Sequence, residues 1–252
     1  EAYVLLALGN DEHIFGILAF MKAMRRYGND LSRDVIAIVS GINENFEYLL
    51  KRYGAVVIKM ESISSEMFGA GTPSSFATLL AWKLVQYERI VFVNANSLPV
   101  GNIESIWSQH INLKASLWVA PRCKKNGNTE CLSSRMFMIR PSMKEYAFLT
   151  EFPKTRQTAN VQQFLNQVYN TGRKYKQARG VEELAYEYSV TNSNMIFSNH
   201  LLPNVKIFHF ANTSSRNTTN QPWKSRPIPD YYAVKSAGWS FCTDTWYDDV
   251  LL

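Results

Sequence analysis

The stretch Arg89-Ile-Val-Phe-Val-Asn-Ala-Asn-Ser-Leu-Pro-Val-Gly-Asn-Ile, residues 89–103, decides how this chain is read. Ile90–Val93 is a short run of β-branched and aromatic apolar residues, the pattern of a strand buried on both faces. Asn94-Ala95-Asn96 ends it abruptly, and Pro99 and Gly101 turn the chain. In an open α/β sheet, ligands bind just beyond the carboxyl ends of such strands. Asn94 and Asn96 are two residues apart, so an extended chain is expected to present both side chains to one side. Two carboxylates there would hold a divalent cation; this chain carries two neutral carboxamides.

Outward from that stretch, 252 residues with 46% hydrophobic content allow one large α/β domain. No segment approaches the roughly 18–20 consecutive apolar residues of a membrane span. The net charge of +6 suits an anionic ligand, a nucleic acid or a basic assembly, and equally a solvated basic surface. Three cysteines, Cys123, Cys131 and Cys242, make no disulfide framework for a chain this long. Cys123 and Cys131 flank a turn-rich segment that sterically permits their pairing, with reduced thiols the expected state. Asn212-Thr-Ser and Asn217-Thr-Thr match the N-glycosylation pattern, which arises readily by chance in such a polar loop.

The first expected strand is Ala2–Leu8. Asp11 then caps a helix over 12–27, which closes on Lys22, Arg25 and Arg26 before Gly28-Asn29. Strands at Asp34–Ser40 and 55–60 enclose a helix over 44–53. A polar loop with Gly69, Gly71 and Pro73 leads to a helix over 74–87 and into the strand at 89–93. This alternation argues for a mostly parallel sheet with right-handed crossovers. Further on, a short helix over 102–107 capped by Asn102 is expected. Strands over 115–120 and 132–139 should flank a basic turn at 122–128. Helices over 142–152 and 161–169 and a last strand over 206–210 complete the pattern. Arg173, Lys174, Lys176 and Arg179 form a charged patch, read as a solvated face or a phosphate or RNA contact.

These elements, in this order, resemble the glycogenin-like members of glycosyltransferase family 8. The resemblance covers roughly residues 3–224. It rests on Asn10-Asp11 and Gly16 after the first strand, and on Leu79, Trp82, Leu84 and Gln86-Tyr87 leading into Val91-Phe92-Val93. It continues through Asn102-Ile103-Glu104, Phe137 to Ser142 (FMIRPS) and Phe164-Leu165-Asn166. Lys206-Ile-Phe-His209-Phe210, then Pro222-Trp223, matches the family's closing motif. The resemblance implies a single α/β domain of the GT-A, Rossmann-like fold over 1–224, with a mostly parallel central sheet flanked by helices. Residues 225–252 are then an aromatic and acidic extension packed on or beyond it.

The resemblance also implies a nucleotide diphosphate sugar held through Mn(II) by an Asp-x-Asp motif and a His. In such a site the metal and a Lys neutralise the leaving diphosphate. The implied metal positions fall on Asn94, Asn96 and His209, so two formal charges are missing from the shell of a hard cation. The nucleotide contacts fall on Leu8, Asn10, Asp11, Thr78 and Trp223, with Thr78 where the family has a Lys. The closing-loop Lys falls on Gln221. The sugar-lining motif falls on Ser133-Ser134-Arg135, and the family's Asp-Gln-Gly on Val161-Gln162-Gln163. Thr78, Arg135 and Val161 are not isosteric with the residues they replace, which favours natural divergence over an engineered inactivation.

The function these substitutions imply is a non-catalytic structural or binding subunit, with no cofactor expected and Mn(II) only if the family site still works. The alternative is an active glycosyltransferase with a metal-independent or altered site, in which Arg135, Lys83, Arg122 or Lys124 replaces the cation. A third reading is an RNA-associated basic subunit of a larger assembly. The ligands and partners in view are thus a nucleotide sugar, a protein, or an RNA-containing assembly.

Overall fold

The structure, a computed structural model, describes residues 1–9, 11–60, 76–109, 117–125, 129–151, 161–170, 181–188, 190–191 and 205–209. Within the body formed by Glu1–His209, β1 (Ala2–Leu8) is the strand on which both halves of the core are built. Its apolar run alternates across the sheet, as a strand's side chains must. Tyr3, Leu5 and Ala7 enter one core with Ile14, Ile17, Leu18, Met21 and Met24 of α1 (Asp11–Arg26). Ala2 and Val4 enter the other with Ile36 and Ile38 of β2 (Asp34–Ser40). Because both faces are covered, these strands read as continuous hydrophobic runs in the sequence.

α1 ends at Gly28, whose φ of +64° is the left-handed conformation that closes a helix without a Cβ penalty. α2 (Glu44–Arg52) is capped by Asn43, whose side chain accepts from the Asn45 N–H at 2.8 Å. β3 (Ala55–Lys59) and β4 (Ile90–Val93) complete the parallel half of the sheet. β1 pairs in parallel with both β2 and β4, and β2 with β3. β5 (Ser97–Pro99) leaves this sheet, and α3 (Ser105–Gln109) follows.

The remaining strands of the main sheet are β6 (Leu117–Lys125), β7 (Thr129–Ile139) and β8 (Val181–Glu183). β7 runs antiparallel to both β4 and β6, and β8 is parallel to β6, giving the order β3-β2-β1-β4-β7-β6-β8. The direction of winding reverses between β1 and β4, which opens a crevice at their carboxyl ends. α4 (Met143–Glu151) and α5 (Val161–Asn170) follow β7 in the chain. Phe164 and Leu165 of α5 sit in the second core with Phe137 and Trp82. Phe137 stacks on Phe92 at 4.8 Å between ring centroids. Full burial of one such side chain stabilises by about 1.5–3 kcal/mol. A small second sheet joins β5 to β10 (Ile207–His209) and β9 (Val190–Thr191).

The amino ends of the main strands are closed by charge. The Glu1 carboxylate bonds both Arg33 and Arg89, and Arg33 also bonds Asp30 and Glu104. The two guanidinium groups lie 5.3 and 5.8 Å from the ring of Trp107. Trp107 Nε1 in turn donates to the buried Tyr3 hydroxyl at 2.8 Å.

The mostly parallel α/β sheet flanked by helices matches the expectation, and several boundaries do not. The helix expected over 74–87 is, in its described part, a 3-10 helix at Ala77–Lys83. One reason is visible at Trp82, whose carbonyl accepts from the Ser142 N–H at 3.0 Å, tying this turn to α4 rather than extending the helix. Asn102 does not cap α3 directly. Its Oδ1 takes the Glu104 N–H at 2.9 Å and its Nδ2 donates to the Gly28 carbonyl, so the helix starts at Ser105. α1 begins at Asp11, one residue ahead of the expected start. β6 and β7 extend into the basic turn, leaving 126–128 between them. β5, β8, β9 and a 3-10 helix at Tyr186–Tyr188 had no counterpart among the expected elements.

The expected patch at 173–179, the loop at 212–221, Pro222-Trp223 and the extension 225–252 lie outside the described residues, as do Asn10 and the boundary at 224. No described helix is long and apolar enough to cross a membrane.

Candidate functional site

The carboxyl ends of β1 and β4 hold the expected site. Just past the end of β4, the Asn94 N–H still donates to β7, to the Arg135 carbonyl at 2.8 Å, one step beyond the Val93↔Met136 pair. The Asn94 side-chain oxygen then accepts from the Asn96 N–H at 2.9 Å. That Asx turn corrects the expectation of an extended chain through 94–96, because residues 95 and 96 form a turn. Both carboxamides are half-buried, and Ala95 between them is buried.

Gly16 explains how closely α1 approaches this turn. A Cβ on Gly16 would fall 2.1 Å from the Ala95 carbonyl oxygen, so only glycine lets the helix lie this near. The turn that carries Asn94 and Asn96 is therefore clamped between α1 on one side and β7 on the other.

Immediately after it, β5 pairs antiparallel with β10, setting Ser97 against His209. Both are buried, and Ser97 Oγ lies 2.5 Å from His209 Nδ1. Burial, and then the nearby positive charge of Arg135, push the His209 pKa down to about 3, with the main chain of Tyr188 acting weakly the other way. His209 is thus a neutral imidazole, and its Nε2 has no hydrogen-bond partner among the described residues.

The structure also joins the segments read as sugar-lining. The Ser134 N–H donates to Gln162 Oε1 at 2.8 Å, and the Arg135 N–H to the buried Ser133 Oγ at 3.2 Å. Arg135, Gln162 and Val161 are half-buried. Thr78 is buried on the 3-10 helix. Leu8 ends β1 opposite Ser40, and Asp11 opens α1. Lys83 lies 5.5 Å from the Tyr146 ring centroid, which gives this cation an aromatic partner. Asn10 and Trp223 lie outside the described residues. Sequence reading missed Ser97, and it named the Ser133–Arg135 and Val161–Gln163 segments without foreseeing the bond from Ser134 to Gln162 that joins them. Ser97 and His209 are 112 residues apart, and nothing local to either announces the bond.

The residues present do not fit Mn(II). One buried neutral imidazole nitrogen is open, but the other two positions offer neutral amides, one already engaged in a turn. A fixed positive charge stands close enough to depress the imidazole. Among the described residues, no group of three His, Cys, Asp or Glu side chains is placed to hold a metal ion.

No protein-family profile and no curated protein matches the sequence. Solved structures do match in fold. The galactosyltransferase LgtC, solved with donor and acceptor sugar analogs, is 11% identical with a TM-score of 0.62 over 95% of this chain and 96% of its own. The bifunctional glycosyltransferase WbbM is 13% identical with a TM-score of 0.67, over all of this chain and 52% of its own. GlyE of Streptococcus pneumoniae TIGR4 is 16% identical with a TM-score of 0.63, over 98% of this chain and 64% of its own. The chain therefore has the mixed α/β, GT-A fold of these glycosyltransferases, with the candidate site at the carboxyl ends of β1 and β4.

Proposed function

We propose that this chain is a glycogenin-like relative of the family 8 glycosyltransferases whose donor and metal site is degenerate, and that it works as a non-catalytic structural or binding subunit. The turn at 94–96 carries this reading. Where two carboxylates would neutralise a divalent ion, the chain has carboxamides, one closing an Asx turn, with the Arg135 charge close by. At 4 Å and an effective dielectric of 20, each missing unit charge is worth about 4 kcal/mol of Coulomb attraction per unit of cation charge. Such losses remove the electrostatic stabilisation that metal-assisted group transfer depends on. The apolar framework around the site persists meanwhile, with β1, β4 and residues 136–139 of β7 buried on both faces.

One observation favours a second reading. A guanidinium already near the imidazole is a fixed cation that needs no metal, and an active transferase of altered mechanism would use it on a diphosphate. The ligand class to test is a nucleotide diphosphate sugar, consistent with the donor analog bound to LgtC.

Calorimetry and transfer assays with a panel of nucleotide sugars, with Mn(II) and with EDTA, separate the two. The inert reading expects no manganese-dependent binding and no turnover anywhere in the panel. Turnover that survives EDTA and vanishes in Arg135→Ala would replace it with the second reading. Turnover that requires Mn(II) would overturn both.

A further inference from the structure

We infer that Cys123 and Cys131 form an oxidisable dithiol, a disulfide site across the β6–β7 hairpin. These strands are antiparallel, and their register sets Cys123 directly against Cys131, Lys124 against Glu130 and Lys125 against Thr129. Directly opposed residues on antiparallel strands have Cα atoms about 4.5 or 5.5 Å apart, according to the type of pair. Disulfides bridge Cα separations of roughly 4.4–6.8 Å, so either type of pair is within range.

The sequence merely permits this pairing; the register singles it out. A slip by one residue would set Cys131 against Arg122 or Lys124 and move it to the other face of the hairpin. Only three residues, 126–128 (Asn-Gly-Asn), separate the strands in sequence, a length and composition common in hairpins. The ladder is irregular just before the cysteine pair, where β6 advances from Pro121 to Cys123 while β7 moves only from Leu132 to Cys131. A link at this point would tie the hairpin tip where the ladder is least regular. The inference is independent of which ligand the candidate site takes.

The oxidant is a small disulfide such as glutathione disulfide. One cysteine thiolate attacks a sulfur of the oxidant and expels a glutathione thiolate. The second thiolate attacks the protein sulfur of the mixed disulfide and expels the other glutathione. Each cysteine gives up a proton, the pair gives up two electrons, and the oxidant becomes two glutathione molecules.

The test is to equilibrate the full chain carrying Cys242→Ser in buffers of rising glutathione disulfide to glutathione ratio. Both thiols should be lost to alkylation together, with the intact mass falling by the two hydrogens a disulfide releases. Trypsin cutting after Lys124 or Lys125 should leave fragments joined until reduction. Amides of the hairpin should exchange on the order of 50-fold more slowly once oxidised, as expected for closing so short a loop. Two stable glutathione adducts, or two alkylatable thiols at every ratio, would overturn the inference. Peptide mapping of the unsubstituted chain should find the same 123–131 link. A link from Cys242 to either cysteine in its place would equally overturn it.

Discussion

Replacing Gly16 with alanine is the sharpest test of how the candidate site is held, because two physical effects predict opposite signs. In a helix interior, Gly→Ala is favourable by about 1 kcal/mol from propensity alone. Here the new Cβ would sit 2.1 Å from the Ala95 carbonyl oxygen and 3.0 Å from its carbon. Carbon contacts are comfortable only near about 3.5 Å, so α1 and the 94–96 turn must separate by more than about 1 Å. The obstacle is main chain, and no side chain can rotate out of its way. Overpacking of this kind costs typically about 1–3 kcal/mol, and contact with rigid backbone puts this case at the upper end. After the propensity gain, a net loss of about 2 kcal/mol is expected. Urea unfolding followed by tryptophan fluorescence reads it as a lower midpoint at unchanged slope. Amide exchange at residues 94–97 should quicken at the same time, because the clamp on the turn has been loosened. A midpoint that rises by the propensity increment would show that α1 does not approach Ala95 as described, and the account of the clamped turn would fail.

Restoring charge to the turn, in the double variant Asn94→Asp and Asn96→Asp, should raise Mn(II) affinity at least about tenfold by calorimetry. Sugar transfer should still be absent, since Thr78, Arg135 and Val161 are unchanged; no gain in manganese binding would place the two positions away from any ion site. His209 has its pKa pushed from 6.5 down to about 3, by burial first and the Arg135 charge second. The unfolded chain then takes up a proton in that window that the folded chain refuses, so the stability present above pH 6.5 declines as pH falls through it. Urea midpoints measured against pH should show a shallower decline in His209→Gln, and an unchanged slope would refute the buried neutral imidazole. Tyr3→Phe removes the hydroxyl that accepts from Trp107 Nε1 in a buried setting. It should cost about 1–3 kcal/mol by chemical denaturation, and a neutral result would mean the indole N–H finds another partner.

The sequence by itself determined the strands that run from Ala2, Asp34, Ala55 and Ile90, because each is a local apolar run between breakers. The helix expected over 44–53 is α2 almost to the residue, and the structure adds Asn43 as its cap and Lys51 and Arg52 in its last turn. The sequence also placed the candidate site at the end of β4, where an apolar run buried on both faces gives way to the polar Asn94 and Asn96.

Tertiary structure alone decided what that site is made of. The bond from Ser97 to His209 and the pairing of Asn94 with Arg135 join residues far apart in the chain, so no local pattern encodes them. The turn of the 94–96 backbone follows from one side-chain hydrogen bond that competes with the extended form. The helix expected over 74–87 became a 3-10 segment in its described part, with the Trp82 carbonyl bonded to the backbone ahead of α4. Gly16 stood in plain view as a glycine within a helix, yet the carbonyl it makes room for is visible only in the fold. Local periodicity reports which face of an element is buried. It carries no record of which distant element does the burying, and the charge and hydrogen bonding of this site depend on that distant partner.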